Sequence, residues 1–183
     1  MKSSSQTFKF PSIHNFPPFY TQQPTQSTWQ HQIQLWSNLI LSYYRHHKLC
    51  VLELTNELDK ELFNNSKINR KLDLVTLQTI IDELVKQGMA EWLPPTTQKS
   101  RALIFWRKPE DWASMIYNWV KESGQTNTVL TVFEILHGEN TEDLEFHELD
   151  DILFQKALKI LIDQGKAQTL TGTSSDDMGV KFY

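Results

Sequence analysis

The feature that most constrains this chain is an internal repeat, its second half following its first at one fixed offset of 77 residues. Ile81 falls on Leu158, Leu84 on Leu161, and the pair Gln87-Gly88 on Gln164-Gly165. Ala90 then falls on Ala167, Phe105 on Phe182 and Trp106 on Tyr183, with no gap from the last helix of each half through its final strand. Leu35, Leu39 and Glu57 fall likewise on Trp112, Ile116 and Glu134. Apolar periods can match by chance. A helix-stopping glycine and a closing aromatic strand held together in register are harder to obtain that way, so the pattern reads as a tandem duplication. The 183 residues then make two small domains of about 80 to 90 residues each.

In the first copy, from Thr28 onwards, Ile33, Trp36, Ile40 and Tyr43-Tyr44 recur every three to four positions and predict an amphipathic helix. The stretch VLELTNELDKELFNNSKINRKL reads as a short strand, a helix and an Asn-rich turn at Asn64 and Asn65. Asp73 to Gln87 predicts a helix capped by Asp73, with Leu77, Ile80, Ile81, Leu84 and Val85 inward and Gly88 as its stop. MAEWL and ALIFW, either side of PPTTQKSR, predict a β-hairpin. The second copy repeats the order. Glu110 to Glu122 is helical with Trp112, Ile116, Trp119 and Val120 on one face, and VLTVFEIL forms a short element. Asp150 or Asp151 caps a helix with Phe154, Ala157, Leu158, Leu161 and Ile162 inward, and KAQTL pairs with GVKFY across TGTSSDDM.

Helix, short strand, helix, helix and two-stranded wing is the order of a winged helix. The expected fold is mainly α with small β wings (α+β): tandem winged-helix domains over 28–108 and 109–183, preceded by an extended N-terminal tail over 1–27. The junction Arg107-Lys108-Pro109 is too short for a flexible linker, which predicts a fixed relation between the two.

The tail holds Pro11, Pro17, Pro18 and Pro24, which remove amide donors and fix φ, so it is expected to be extended. It also carries Phe8, Phe10, Phe16, Phe19 and Tyr20, and aromatic side chains on an extended segment would find no local burial and should dock elsewhere. Phe16-Pro17-Pro18-Phe19-Tyr20 in particular presents a preorganised ligand, two φ-locked residues followed by aromatic anchors. Packing of the tail on its own domain and a WW-domain ligand are the alternatives. A second candidate surface is electrostatic. From Phe133 to Asp151 the chain carries Glu134, Glu139, Glu142, Asp143, Glu145, Glu148, Asp150 and Asp151 with no Lys or Arg, a run that attracts a basic partner. Phe146 among these carboxylates favours a binding role over a merely solvated loop.

Catalytic signatures are missing: there is no G-x-S-x-G, P-loop, H-E-x-x-H or Cys/His metal spacing. His46-His47 sits where a helix C-terminal dipole favours it, and His147 has acidic neighbours but no second histidine at ligand spacing. No catalytic residue, metal site or cofactor is therefore expected. A net charge of -4 and a pI near 5.8 argue against nucleic acid as the main partner. Arg70-Lys71 and Lys99-Ser100-Arg101 nonetheless keep a DNA-binding regulator as the alternative. One cysteine, Cys50, cannot close an internal disulfide, and the N-terminus lacks a signal-peptide pattern. No run approaches the ~20 apolar residues that span a bilayer, so the chain is expected in the cytoplasm, reaching membranes through partners.

Several strings carry a resemblance. FPPFYTQQP, LFNN followed by INRKL, the run FWRKPEDWASMIYNWVKESGQTNTVLTVFEILHGENTEDLEFHELD and the final GVKFY closely resemble the vacuolar protein sorting-associated protein 25 family, the small subunits of the ESCRT-II endosomal sorting complex. The similarity covers nearly the whole chain. It implies tandem winged-helix domains, and two copies of the chain in a Y-shaped complex with one copy each of vacuolar protein sorting proteins 22 and 36. It implies that Pro17, Pro18, Phe19 and Tyr20, next to Phe16, dock in hydrophobic pockets on those larger subunits. It also implies that the C-terminal domain recruits the ESCRT-III subunit charged multivesicular body protein 6 through that subunit's basic helix. The acidic stretch is a chemically suitable receptor; Phe133, Glu134, Glu142, Asp143, Glu145 and Phe146 as its contacts are our assignment, not a family motif. The implied role is a non-catalytic subunit that nucleates ESCRT-III on endosomal membranes in multivesicular-body sorting of ubiquitinated cargo.

Overall fold

The computed structural model describes residues 7–170 and 178–183, and they divide into two compact units with the boundary between Trp106 and Arg107. In the first unit the apolar stripe winds α1 (Gln26–His46), burying Ile33, Trp36, Ile40, Tyr43 and Tyr44. β1 (Val51–Glu53) and the single-turn α2 (Leu54–Glu57) follow. The residues read as an Asn-rich turn form a strand instead: Asn64–Asn65 (β2) pairs antiparallel with Arg70–Lys71 (β3). The left-handed residue of that hairpin comes later, at Asn69 with φ 52°. α3 (Leu74–Lys86) starts where the Asp73 carboxylate accepts the Thr76 N–H and ends at Gly88, whose φ of 71° lets the Met89 N–H reach the Leu84 carbonyl. Its Leu77, Ile80, Ile81 and Leu84 pack against α1, while Val85 is only partly covered. β4 (Ala90–Trp92) and β5 (Arg101–Ile104) form the wing, in a sheet of order β1-β5-β4.

The second unit repeats the plan with α4 (Pro109–Glu122), β6 (Val129–Thr131), α5 (Val132–His137), α6 (Asp151–Asp163), β7 (Ala167–Leu170) and β8 (Gly179–Phe182), its sheet ordered β6-β8-β7. Asp150 caps α6 by accepting the Ile152 N–H. Ile162, expected inward, is exposed, and Leu153 is buried in its place, since 153, 157 and 161 stack along one i, i+4 row. Of the hairpin connection TGTSSDDM, residues 171–177 lie outside the described residues.

The repeat is present, but a single offset does not describe it. At the end of α1, Leu49 N–H meets the Tyr44 carbonyl as Gln125 N–H meets that of Val120 at the end of α4. That places Trp36 on Trp112 and Ile40 on Ile116, 76 residues apart, where the sequence comparison paired Leu35 and Leu39 with them. α3 and α6 keep the 77-residue spacing throughout. The strands β1 and β5 sit 78 residues before β6 and β8: Leu54 N–H bonds the Ser100 carbonyl as Val132 N–H bonds that of Met178. Ala90 faces Ile104 while Ala167 faces Phe182, so the partner of Phe182 is Ile104 and that of Tyr183 is Phe105. Loops absorb single-residue changes at little cost, whereas a helix or strand interior cannot, so the offset changes only between elements.

The N-terminal segment differs most from its expected form. Residues 12–15 and 17–20 wind into two short 3-10 turns rather than an extended strand, and they pack on the first unit. Phe19 is 2% and Tyr20 3% exposed, and Phe8, Phe10 and Ile13 rest against the same core. The reason is available surface: α1 and the β2–β3 hairpin leave an aromatic shelf, built on Trp36 and Phe63, that the segment covers.

Candidate partner-docking sites

The first candidate site is built on Pro17-Pro18. Proline at the first position of the second turn fixes φ there without loss of a needed donor, and the Thr21 N–H closes on the Pro18 carbonyl. The turn splits the five residues singled out in sequence into two sets. Phe19 stacks flat on Trp36, with ring centroids 4.1 Å apart and planes at 4°. Its carbonyl accepts from Trp36 Nε1 at 2.9 Å and Gln32 Nε2 at 2.5 Å. Tyr20 donates its hydroxyl to the His14 carbonyl at 3.0 Å, and burial pushes that phenol up to about 12. Phe16, at 52% exposure, Pro17 and Pro18 face outward. What can meet another molecule here is thus the Phe16-Pro17-Pro18 edge, held by the two aromatics behind it.

His14, Gln32 and Asn65, which tie the segment down, carried no sequence signal for that role. Asn65 Nδ2 donates to the His14 carbonyl at 2.8 Å and to Asn15 Oδ1 at 3.0 Å, across some fifty residues of chain. The Asn-Asn pair was visible, but it reads equally well as a turn.

The second candidate site lies in the second unit, where Thr131 and Glu134 form a capping box at the start of α5. Glu134 Oε2 accepts the Thr131 N–H at 2.7 Å and its hydroxyl at 2.9 Å, and these bonds hold the carboxyl below the usual range. Phe133 points away from the core at 56% exposure, its ring 5.4 Å from that of His137. The loop that follows is anchored by Thr141, whose hydroxyl donates to the Gly138 carbonyl at 2.8 Å and lies 3.0 Å from His147 Nδ1. It is anchored again by Phe146, fully buried with its ring 5.7 Å from that of Trp119. Phe146 is therefore a core residue holding the acidic loop, not a surface anchor among carboxylates. Glu145 is engaged as well: Arg107, a cation absent from the run of residues 133–151, bonds it while its guanidinium lies 5.3 Å over the Trp112 ring. Glu142, Asp143, Phe133 and Glu134 are exposed, and Glu134 with Glu139 lines a hollow of about 250 Å³ together with Trp119, Gln125 and Leu130.

The helices that would enter a DNA groove offer phosphates little. Lys86 on α3 is paired with Glu83, and Lys159 on α6 with Asp163. Among the described residues, no three His, Cys, Asp or Glu side chains are placed to hold a metal ion, and no helix is long and apolar enough to cross a membrane.

The architecture defines the class, a tandem winged-helix protein. Residues 13–150 match the family of ESCRT-II complex subunits. The vacuolar protein-sorting-associated protein 25 of Danio rerio is 44% identical over 177 residues, covering 97% of this chain and 99% of its own. The Homo sapiens protein of that name is also 44% identical, with 97% and 98% covered, and the Arabidopsis thaliana one 39%, with 96% of each. The crystal structure of subunit VPS25 of the endosomal trafficking complex ESCRT-II superimposes with a TM-score of 0.81 at 30% identity, covering 93% of this chain and 97% of that one. A chain of the ESCRT-II complex VPS22/VPS25/VPS36 gives 0.79 at 30% identity, with 94% and 98% covered. The chain belongs to the ESCRT-II complex subunit family, the endosomal sorting subunits named for vacuolar protein sorting.

Proposed function

We propose that this protein is a non-catalytic docking subunit that engages different partners through its two units. The observation that carries the proposal is the likeness over 94% of the chain to a subunit solved in assembly with VPS22 and VPS36. The exposed Phe16-Pro17-Pro18 edge, backed by Phe19 and Tyr20, is the part of the first unit that docks to the corresponding larger subunits, two copies of this chain per complex. The face formed by Phe133, Glu134, Glu142 and Asp143 receives the basic helix of the ESCRT-III subunit, charged multivesicular body protein 6. Two such receptors in one assembly hold two ESCRT-III subunits close together, which offsets the entropy of starting a polymer at an endosomal membrane.

Co-purification tests the first contact. Phe16, Pro17 and Pro18 changed together to alanine lose the larger subunits while the circular dichroism of the chain is unchanged; intact assembly refutes it. For the second contact, Glu142→Lys with Asp143→Lys weakens binding of the basic helix, and the loss shrinks as salt is raised. Unaltered affinity returns this face to being solvated surface.

A further inference from the structure

His14 is buried under the N-terminal segment, with both ring nitrogens committed. Nε2 lies 3.1 Å from the Leu62 carbonyl, which only accepts, so Nε2 carries a proton. Nδ1 lies 3.2 Å from Asn65 Nδ2, a donor only, whose two hydrogens it shares with the His14 carbonyl and Asn15 Oδ1, so Nδ1 faces that group with its lone pair. The amide cannot be turned round to suit a second ring proton. Its oxygen already accepts the Lys67 N–H at 3.1 Å, and its nitrogen serves the His14 carbonyl and Asn15 Oδ1. The ring cannot swing away either, since Phe10 stacks on it at 4.2 Å and Tyr20 meets it edge-on at 5.8 Å.

We propose that the first unit carries an acid-operated clasp: neutral His14 holds the segment Ser12–Tyr20 closed, and a proton on Nδ1 sets two donors against each other and releases it. The charged groups that reach the imidazole oppose one another, Glu61 favouring the proton and Lys67 disfavouring it. From its own segment His14 meets the Tyr20 phenol. From α1 the titratable side chains behind Phe10 and Phe8 are Tyr43, itself bonded to Glu61, and His46 and His47. Burial is the largest influence and lowers the imidazole below its ordinary 6.5, against the bonds to the Leu62 and Glu61 backbone. The open segment therefore takes a proton more readily than the closed one. The clasp has full strength above pH 6.5 and loses it as pH falls through the lowered value. What it releases includes the exposed Phe16-Pro17-Pro18 edge, whatever that edge binds.

NMR of the full chain across the acid range tests this without any partner. The His14 ring titrates below 6.5, and the amide signals of Ile13, Tyr20 and Asn65 follow the same midpoint. Across that titration, amide exchange in 12–20 quickens about tenfold beyond the change due to solvent chemistry. His14→Gln, able to donate and accept but not to titrate, makes the segment's signals insensitive over the same range. A His14 midpoint at or above the ordinary value, or segment signals that ignore its titration, overturns the proposal. Both are read on the unaltered chain, so neither outcome depends on a variant folding.

Discussion

Replacing Phe19 with alanine separates two accounts of the N-terminal segment. If the segment were a free ligand, Phe19→Ala would abolish docking and leave the fold untouched. In the structure the ring is 2% exposed and lies flat on Trp36. Removing it forfeits about 2 to 3 kcal/mol of apolar transfer energy. The lost stacking on Trp36 adds about 0.5 to 1.5 kcal/mol. Because the segment lies near a chain end and can sink towards the gap, we set the total at about 3 kcal/mol, the low end for buried Phe→Ala. Phe16→Ala, one turn away and exposed, costs no more than about 0.5 kcal/mol. Urea unfolding of the two variants, followed by tryptophan fluorescence, measures the difference, and for a unit of this size the gap in Tm exceeds about 10 °C. A loss below about 1 kcal/mol for Phe19→Ala would show that the segment is not part of the core and would restore the free-ligand account.

Lys48 ends α1 with φ 51° where its counterpart Gly124 ends α4 with φ 69°. Lys48→Gly relieves a left-handed side chain and stabilises the first unit by about 0.5 to 1 kcal/mol in chemical denaturation, net of the entropy glycine returns to the unfolded chain. Asp73→Ala costs about 1 to 2 kcal/mol by uncapping α3. Partial burial raises the Asp73 carboxyl, but bonds from the Thr76 hydroxyl and N–H outweigh it and leave it below 3.8. Its stabilisation is therefore present above that pH and lost as pH falls through the lowered value, so the gap between wild type and Asp73→Ala narrows in acid unfolding curves. Glu145→Lys sets a like charge on Arg107 and destabilises the second unit by about 1 to 3 kcal/mol, so it reports on the fold and not on partner binding. Thermal unfolding of Glu145→Lys against Glu142→Lys, which leaves Tm within a few degrees, checks this.

The division between what was legible and what was not follows the range of the interactions. Helix spans, the Asp73 cap, the cap at Asp150 or Asp151 and the Gly88 and Gly165 stops depend on residues within about four positions of one another, and each wing pairs strands that are neighbours in sequence. Hence the sequence alone determined a repeated winged helix and the acidic run from Phe133 to Asp151. The tertiary structure decided the rest. Phe19 and Tyr20 read as anchors in the sequence, but only the shelf made by Trp36 and Phe63 shows that they anchor the chain to itself, with Phe16, Pro17 and Pro18 left exposed. Phe146 turned inward onto Trp119, and Glu145 met Arg107 38 positions away, contacts that no local pattern encodes. The repeat itself resolved into three spacings, since loops take up a residue freely while hydrogen-bonded helices and strands do not. Periodicity and capping are written locally. Burial and register are settled by which faces the folded chain brings into contact.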